Sequence, residues 1–288
     1  MDGAIVELDV ADWRDPGSHR EWIDAVEHGK VLYFPRLAFE LEAAERMLLR
    51  PEILAGRSRN ISMDAMGAVR GLADMGALAD VQGLLGRFAQ QARSLVDGLF
   101  PAYSVHLLTA PTSLRTQSVS QRRQSVRADD RRLHVDAFPS RPNRGERILR
   151  VFANINPQGE PRVWRVGEPF DDVARRFLPR VRPYSPHQAR LLQLARVTKS
   201  LRSEYDHLML QLHDTMKADE AYQREGPQAR MDFPPGSCWV CFSDQTVHAA
   251  MSGQHMVEQT FHLPAGCQYN QDSSPIAILT GLAGHSLI

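Results

Sequence analysis

RLHVDAFPSRPNRGERILRVFANI, residues 132–155, opens on a His-x-Asp pair and closes on an alternating run, and the two together decide how the chain is read. In extended backbone, side chains two apart point the same way, so His134 and Asp136 offer an imidazole and a carboxylate to one point. In the run that follows, Ile148, Arg150, Phe152 and Asn154 share a face and Val151 and Ala153 lie opposite. That alternation predicts a strand, one face of which carries a guanidinium 14 residues beyond the acid.

The totals fit a folded domain. The chain has 288 residues, 43% hydrophobic and 24% charged, with zero formal net charge. This is neither the composition of a disordered chain nor that of a membrane protein, and no segment reaches the roughly 18 apolar residues of a spanning helix. MDGAIVELDVADWRDPG at the amino terminus lacks the basic and apolar regions of a signal peptide, so a cytoplasmic location is expected. Cys238, Cys241 and Cys267 form no even disulfide framework. The CxxC of SCWVCF lacks a second pair and alternates like a strand, so zinc or redox chemistry is not expected there.

Charge is unevenly spread. Among 34 cationic side chains only Lys30, Lys199 and Lys217 are lysine, and ten arginines fall between Arg115 and Arg150 against four acids. Almost no aromatic residues interleave that cluster and the whole chain is neutral, which argues against nucleic acid as partner.

Short runs rich in β-branched and aromatic residues read as strands at 4–10, 30–35, 103–110, 113–119, 147–155, 161–167, 236–244 and 255–264. A helix is expected from Ser18, as N-cap, to Gly29, and another from Leu78 to Leu99, where apolar residues recur every three or four positions. A helical excursion from about Asp171 to Ala218 is interrupted by PRVRPYSP. Without repeats or a linker, one domain over 1–288 is expected: a mainly helical scaffold over 1–110 and a β core over 111–288. The fold class is α+β with a mainly β core, a double-stranded β-helix (jelly-roll, cupin-like) with helices packed outside.

A metal needs a third ligand, and His248 in SDQTVHAAMSGQ, at a strand edge about 110 residues after the acid, is the best remaining candidate. Two histidines and one carboxylate on one face leave three positions open, which suits non-heme Fe(II) better than zinc. Order and spacing match double-stranded β-helix oxygenases, most of which bind 2-oxoglutarate through a buried cation. Many use an arginine shortly after the distal histidine. HMVEQTFH has Gln259 and Thr260 there and no cation, so Arg150 is expected to grip the co-substrate, with Asn154 on the same face.

DDRRLHVDAFPSRP, RILRVFANINPQGEPRVWRVGEPF and GSCWVCFSDQTVHAAMSGQHMVEQTFHLP resemble the Kdo hydroxylases, strongly over residues 110–288 and more loosely before. The resemblance implies an Fe(II)/2-oxoglutarate dioxygenase that consumes O2, with ascorbate as reductant in vitro. It implies hydroxylation of 3-deoxy-D-manno-oct-2-ulosonic acid (Kdo) at carbon 3 on Kdo-bearing lipid A, and iron ligands His134, Asp136 and His248. A densely anionic substrate suits arginine, so Arg127, Arg131, Arg132, Arg141, Arg144 and Arg147 form the pool from which substrate contacts are expected. The remainder would form a rim able to favour the inner membrane surface. The carboxyl-terminal SPIAILTGLAGHSLI is expected to dock on the domain. Two other readings remain open: a related oxygenase acting on a protein side chain or another anionic small molecule, and a non-catalytic cupin-like sensor of a sugar acid.

Overall fold

The computed structural model describes residues 3–56, 58–120 and 124–288. Its strands are β1 (Ile5–Glu7), β2 (Val31–Phe34), β3 (Ile61–Met63), β4 (Val69–Arg70), β5 (Leu108–Arg115), β6 (Arg147–Asn154), β7 (Arg162–Gly167), β8 (Gln228–Phe233), β9 (Cys238–Phe242), β10 (His248–Ser252) and β11 (Met256–Leu263). The helices are α1 (Arg20–Glu27), α2 (Leu78–Leu99), α3 (Phe170–Phe177), α4 (Pro186–Leu194), α5 (Glu204–Ala218), α6 (Glu220–Glu225) and α7 (Pro275–Ala283).

Two sheets form, one ordered β1-β2-β9-β6-β11-β5-β3-β4 and one ordered β10-β7-β8. From β6 onward the chain crosses between them: β6 lies in the large sheet, β7 and β8 in the small one, β9 in the large, β10 in the small and β11 in the large. That winding is the expected jelly-roll. Alternation along β6 and β9 then builds two of three core layers. Leu149, Val151, Ala153, Cys238, Val240 and Phe242 meet α1 and α2 outside the large sheet. Phe152, Trp239 and Cys241 face inward and meet Trp164 and Phe233 of the small sheet. Phe233 and Trp239 stack at 4.2 Å with their planes 9° apart. Leu133, Val135 and Ala249 meet α3, α5 and α7 in the third layer. Cys238 and Cys241 thus sit in different layers and form no CxxC site.

Several expectations shift. α2 spans Leu78–Leu99 as its stripe predicts, with Val81, Leu85, Phe88, Ala92, Leu95 and Leu99 buried. Ser18 does not cap α1; its hydroxyl donates to the Leu99 carbonyl, and His19 stands at the N-cap without a side-chain bond. The runs at 103–110 and 113–119 become the single strand β5, because residues 101–103 close a 3-10 turn and Pro111 lies inside the strand rather than between two. Pro111 has no N–H to give the ladder, and the register against β11 slips between Gln259 and Phe261, with Gln259 Nε2 donating to the Ala110 carbonyl. The amino-terminal third is less helical than expected, since β1 and β2 extend one edge of the large sheet and β3 and β4 the other. β8 was not anticipated. The carboxyl-terminal segment docks as expected, burying Leu279 and Leu287 in the third layer.

Arg147 corrects the substrate pool. Its side chain is 1% exposed and pairs with Asp244, itself 1% exposed, at 2.7 Å. It also donates to the Gln245 and Gln268 side chains and lies 4.0 Å over the Phe242 ring. It is a structural cation, unavailable to ligand. Removing one partner of such a pair strands a buried charge, so Arg147→Ala should cost about 3–5 kcal/mol. Urea unfolding of the apoprotein measures this, and an unchanged midpoint would return Arg147 to the ligand-facing cations.

Candidate active site

His134 and His248 face one another across an antiparallel bridge in which each backbone N–H donates to the other's carbonyl, at 3.0 and 2.9 Å. Asp136 N–H donates to the Ser243 carbonyl (2.8 Å), which fixes this loop one step further. Ligand atoms of His134, Asp136 and His248 all lie within 4.8 Å of one another, so the three residues picked from the sequence converge. Gly167 supports this from behind. Its N–H donates to the Val247 carbonyl at 2.8 Å, and a Cβ there would stand 2.3 Å from Val247 Cγ1.

Both imidazoles are held in the metal-binding tautomer. His134 Nδ1 lies 2.7 Å from the Arg132 carbonyl and His248 Nδ1 2.8 Å from the Thr246 carbonyl. A carbonyl only accepts, so each Nδ1 carries the proton and each Nε2 keeps its lone pair for the cluster. Burial, reinforced by the neighbouring His134, lowers His248 to about 4, so the ring stays neutral. Burial would raise Asp136, yet the Arg150 guanidinium holds it well below the usual carboxylate range. Asp136 Oδ2 lies 3.0 Å from Arg150 Nη2 but makes no hydrogen bond, leaving a buried anionic oxygen with capacity to spare. Two imidazoles and one carboxylate are the donor set of an Fe(II) site with open positions.

The cluster opens into a cavity of about 220 Å³. Among the described residues Arg59, Arg115, Arg150 and Arg162 line it, against Asp130, Asp136 and Glu258. Arg115 donates to Glu258 at 2.8 Å, and Arg150 stands 3.9 Å from the same carboxylate. Trp164 stacks on His248 at 5.0 Å, and its Nε1 is buried without a hydrogen-bond partner. Arg150 and Asn60 also border a second chamber of about 570 Å³, lined further by Arg141, Asn143 and His262.

Arg150 therefore faces the cavity as expected, but in contact with Asp136. Asn154 does not join it: its Nδ2 donates to the Glu160 and Phe233 carbonyls and its Oδ1 accepts from Asn156 N–H, so the side chain pins a loop. Of the arginine pool, only Arg141 borders either chamber. Arg127 pairs with Asp214, and Arg131 makes a two-pronged pair with Asp129. Arg132 donates to the Lys217 carbonyl and to Glu220. Arg144 borders a separate groove beside Arg202 and the carboxyl terminus. Arg122 and Arg123 of the same cluster lie outside the described residues. Arg162 and Trp164 are additions to the residues expected here, although PRVWRVG alternates as RILRVFANI does and puts both on one face. Arg115 and Glu258 are further additions, since their pairing depends on the register of β5 against β11.

A family model for 3-deoxy-D-manno-oct-2-ulosonic acid (Kdo) hydroxylase matches residues 10–286. Solved structures of the Kdo hydroxylase KdoO, a non-heme Fe(II) α-ketoglutarate-dependent dioxygenase, are similar to the chain throughout. One, in complex with α-ketoglutarate and Fe(III), is 42% identical with a TM-score of 0.93, over 99% of this chain and 97% of that one. Another, with cobalt(II), is 43% identical with a TM-score of 0.94, over 99% and 97%. A third, with succinate and Fe(III), is 43% identical with a TM-score of 0.93 over the same shares. No curated protein matches.

With three donors fixed by backbone bonds, His134→Ala or His248→Ala should weaken Co(II) binding about a hundredfold or more while the protein stays folded. Titration of the apoprotein followed by the cobalt absorption band reads this without catalysis, and retained affinity in both variants would remove the cluster as the metal site.

Proposed function

The chain belongs to the Kdo hydroxylase family, and from that premise we propose that it hydroxylates the Kdo sugar of Kdo-bearing lipid A at carbon 3, with Fe(II) and 2-oxoglutarate as cofactors and O2 as oxidant. The observation that carries this reading is the convergence of His134, Asp136 and His248 on a cation-lined cavity that adjoins a larger chamber. The iron would be held by Nε2 of each imidazole and one Asp136 oxygen, with the cavity side left open. When bound, iron and 2-oxoglutarate supply the oxidising chemistry: the keto acid loses CO2 to become succinate, and one oxygen atom enters the sugar's C–H bond.

The protein's own work is to bind, orient and keep water out. Four guanidiniums against three carboxylates leave the inner cavity one positive charge in excess among the described residues, before an iron adds two more. A dicarboxylate co-substrate consumes two of those three charges, which leaves one for a sugar acid. Arg162 and Trp164 Nε1, two residues apart on the inner face of β7, suit the far carboxylate of 2-oxoglutarate, with Arg150 closing over it from β6. The larger chamber suits the sugar. Arg141 stands at its edge and His262 on its wall, where His262 Nδ1 is buried without a hydrogen-bond partner. Burial lowers His262, so it meets the substrate as a neutral ring.

No described helix is long and apolar enough to cross a membrane. A sugar anchored in lipid would be met by this protein at the cytoplasmic surface of the inner membrane. Purified protein with Fe(II), ascorbate and 2-oxoglutarate should release extra succinate when Kdo-bearing lipid A is added, and mass spectrometry should find one added oxygen on the sugar. Stimulation by a polypeptide instead of the glycolipid would replace the substrate, and no stimulation by either would leave a sensor. Arg150→Ala and Arg162→Ala should each weaken 2-oxoglutarate binding to the anaerobic Co(II) protein about ten- to a hundredfold. Unchanged affinity in both would put the far carboxylate elsewhere.

A further inference from the structure

α4 is amphipathic the wrong way round. A helix on a globular surface normally turns its large apolar residues inward. Here the residue buried against the domain is Ala189, while Leu191 is 65% and Leu194 80% exposed. The segment that follows continues the pattern, with Val197 55% and Leu201 40% exposed. Four large apolar side chains on one short stretch are more than scattered surface hydrophobics.

Along the chain, their neighbours carry one sign of charge, and the first acid, Glu204, borders the groove that Leu201 and Arg202 line. Between Asp172 and Glu204 the sequence contains no acid, whereas Arg180, Arg182, Arg190, Arg196, Lys199 and Arg202 all fall within it. Arg180 is paired with Asp219 across the fold; Arg182, Arg190, Arg196 and Lys199 are exposed. Exposed leucines interspersed along the chain with exposed cations suit the boundary between acyl chains and anionic headgroups, and do not suit a neutral apolar groove.

The patch is joined to the larger chamber. Lys199 N–H donates to the Ser140 carbonyl at 2.9 Å and Arg202 donates to the Pro139 carbonyl at 2.7 Å. Pro139 and Ser140 line that chamber. We propose that residues 186–202 form a peripheral docking surface for an anionic lipid bilayer, holding the mouth of the chamber against the membrane so that a sugar acid anchored by acyl chains enters without leaving it. The orienting role rests on the function proposed above; the docking itself does not.

The test uses the full-length protein and vesicles free of Kdo. Sedimentation with phosphatidylcholine vesicles and with vesicles also containing phosphatidylglycerol should show binding only to the anionic ones, lost at high salt. Leu191→Gln with Leu194→Gln should reduce that binding roughly tenfold or more, and Arg190→Gln with Lys199→Gln roughly fivefold for each charge removed. Both double variants should keep the thermal midpoint and 2-oxoglutarate affinity of the parent, since none of these side chains is buried. Equal binding to both vesicle types, or full binding by the leucine variant, overturns the proposal. So does a parent dimer that the leucine variant dissolves while neither protein binds vesicles, which would make the face a contact between two copies. Turnover of detergent-dispersed Kdo-bearing lipid A is assayed separately: vesicle binding without turnover removes the substrate reading and leaves the docking surface standing.

Discussion

The reciprocal backbone hydrogen bonds between His134 and His248 are the constraint on which the site depends. They join a loop that precedes β6 to the first residue of β10, and so bring together ligands that the sequence keeps more than a hundred positions apart. Because the bonds are made by the main chain, the spacing of the two rings does not depend on rotamer choice alone. Each ring's remaining freedom is taken up by an Nδ1 bond to the carbonyl two residues upstream. The protein therefore holds two lone pairs and a carboxylate together at the cost of burying Asp136, and Arg150 offsets that cost.

Charge inside the barrel is arranged in alternation. Arg115, Glu258, Arg150 and Asp136 follow one another at ion-pair distances, so no member is buried uncompensated. Burial alone would raise Glu258, but Arg115 and Arg150 hold it below its usual range. A pre-paired network of this kind keeps the guanidiniums in fixed directions before any dicarboxylate arrives, which limits the reorganisation needed on binding.

Much of this was legible in the sequence because it is written in a period of two or of three to four. The inner face of β6, the stripe of α2 and the His-x-Asp geometry follow from side-chain direction alone. What escaped depends on partners distant in the chain. Arg147 belongs to the same alternating run as Arg150, but Asp244, Gln245 and Gln268 turn it into a buried strut. Asn154 has the right face and the wrong neighbours, since a loop needs its amide. Arg162 was readable by the rule already applied to Arg150, yet nothing local marks which of several alternating strands supplies a co-substrate's cation. The clustering of arginines in sequence proved a poor guide to clustering in space: of that pool Arg127, Arg131 and Arg132 are tied to acids away from both chambers, and Arg147 is buried.

The passage of the chain back and forth between the two sheets also bears on how the molecule is assembled. No fragment that ends before β10 contains the site: it has Asp136 and one imidazole, and β11, which lies between β5 and β6, arrives later still. Such non-local pairings close late and slowly during folding. A metal held by His134, Asp136 and His248 would then grip only chains whose last strands are in place, so ion occupancy would discriminate between finished and unfinished molecules and slow the reopening of the finished ones.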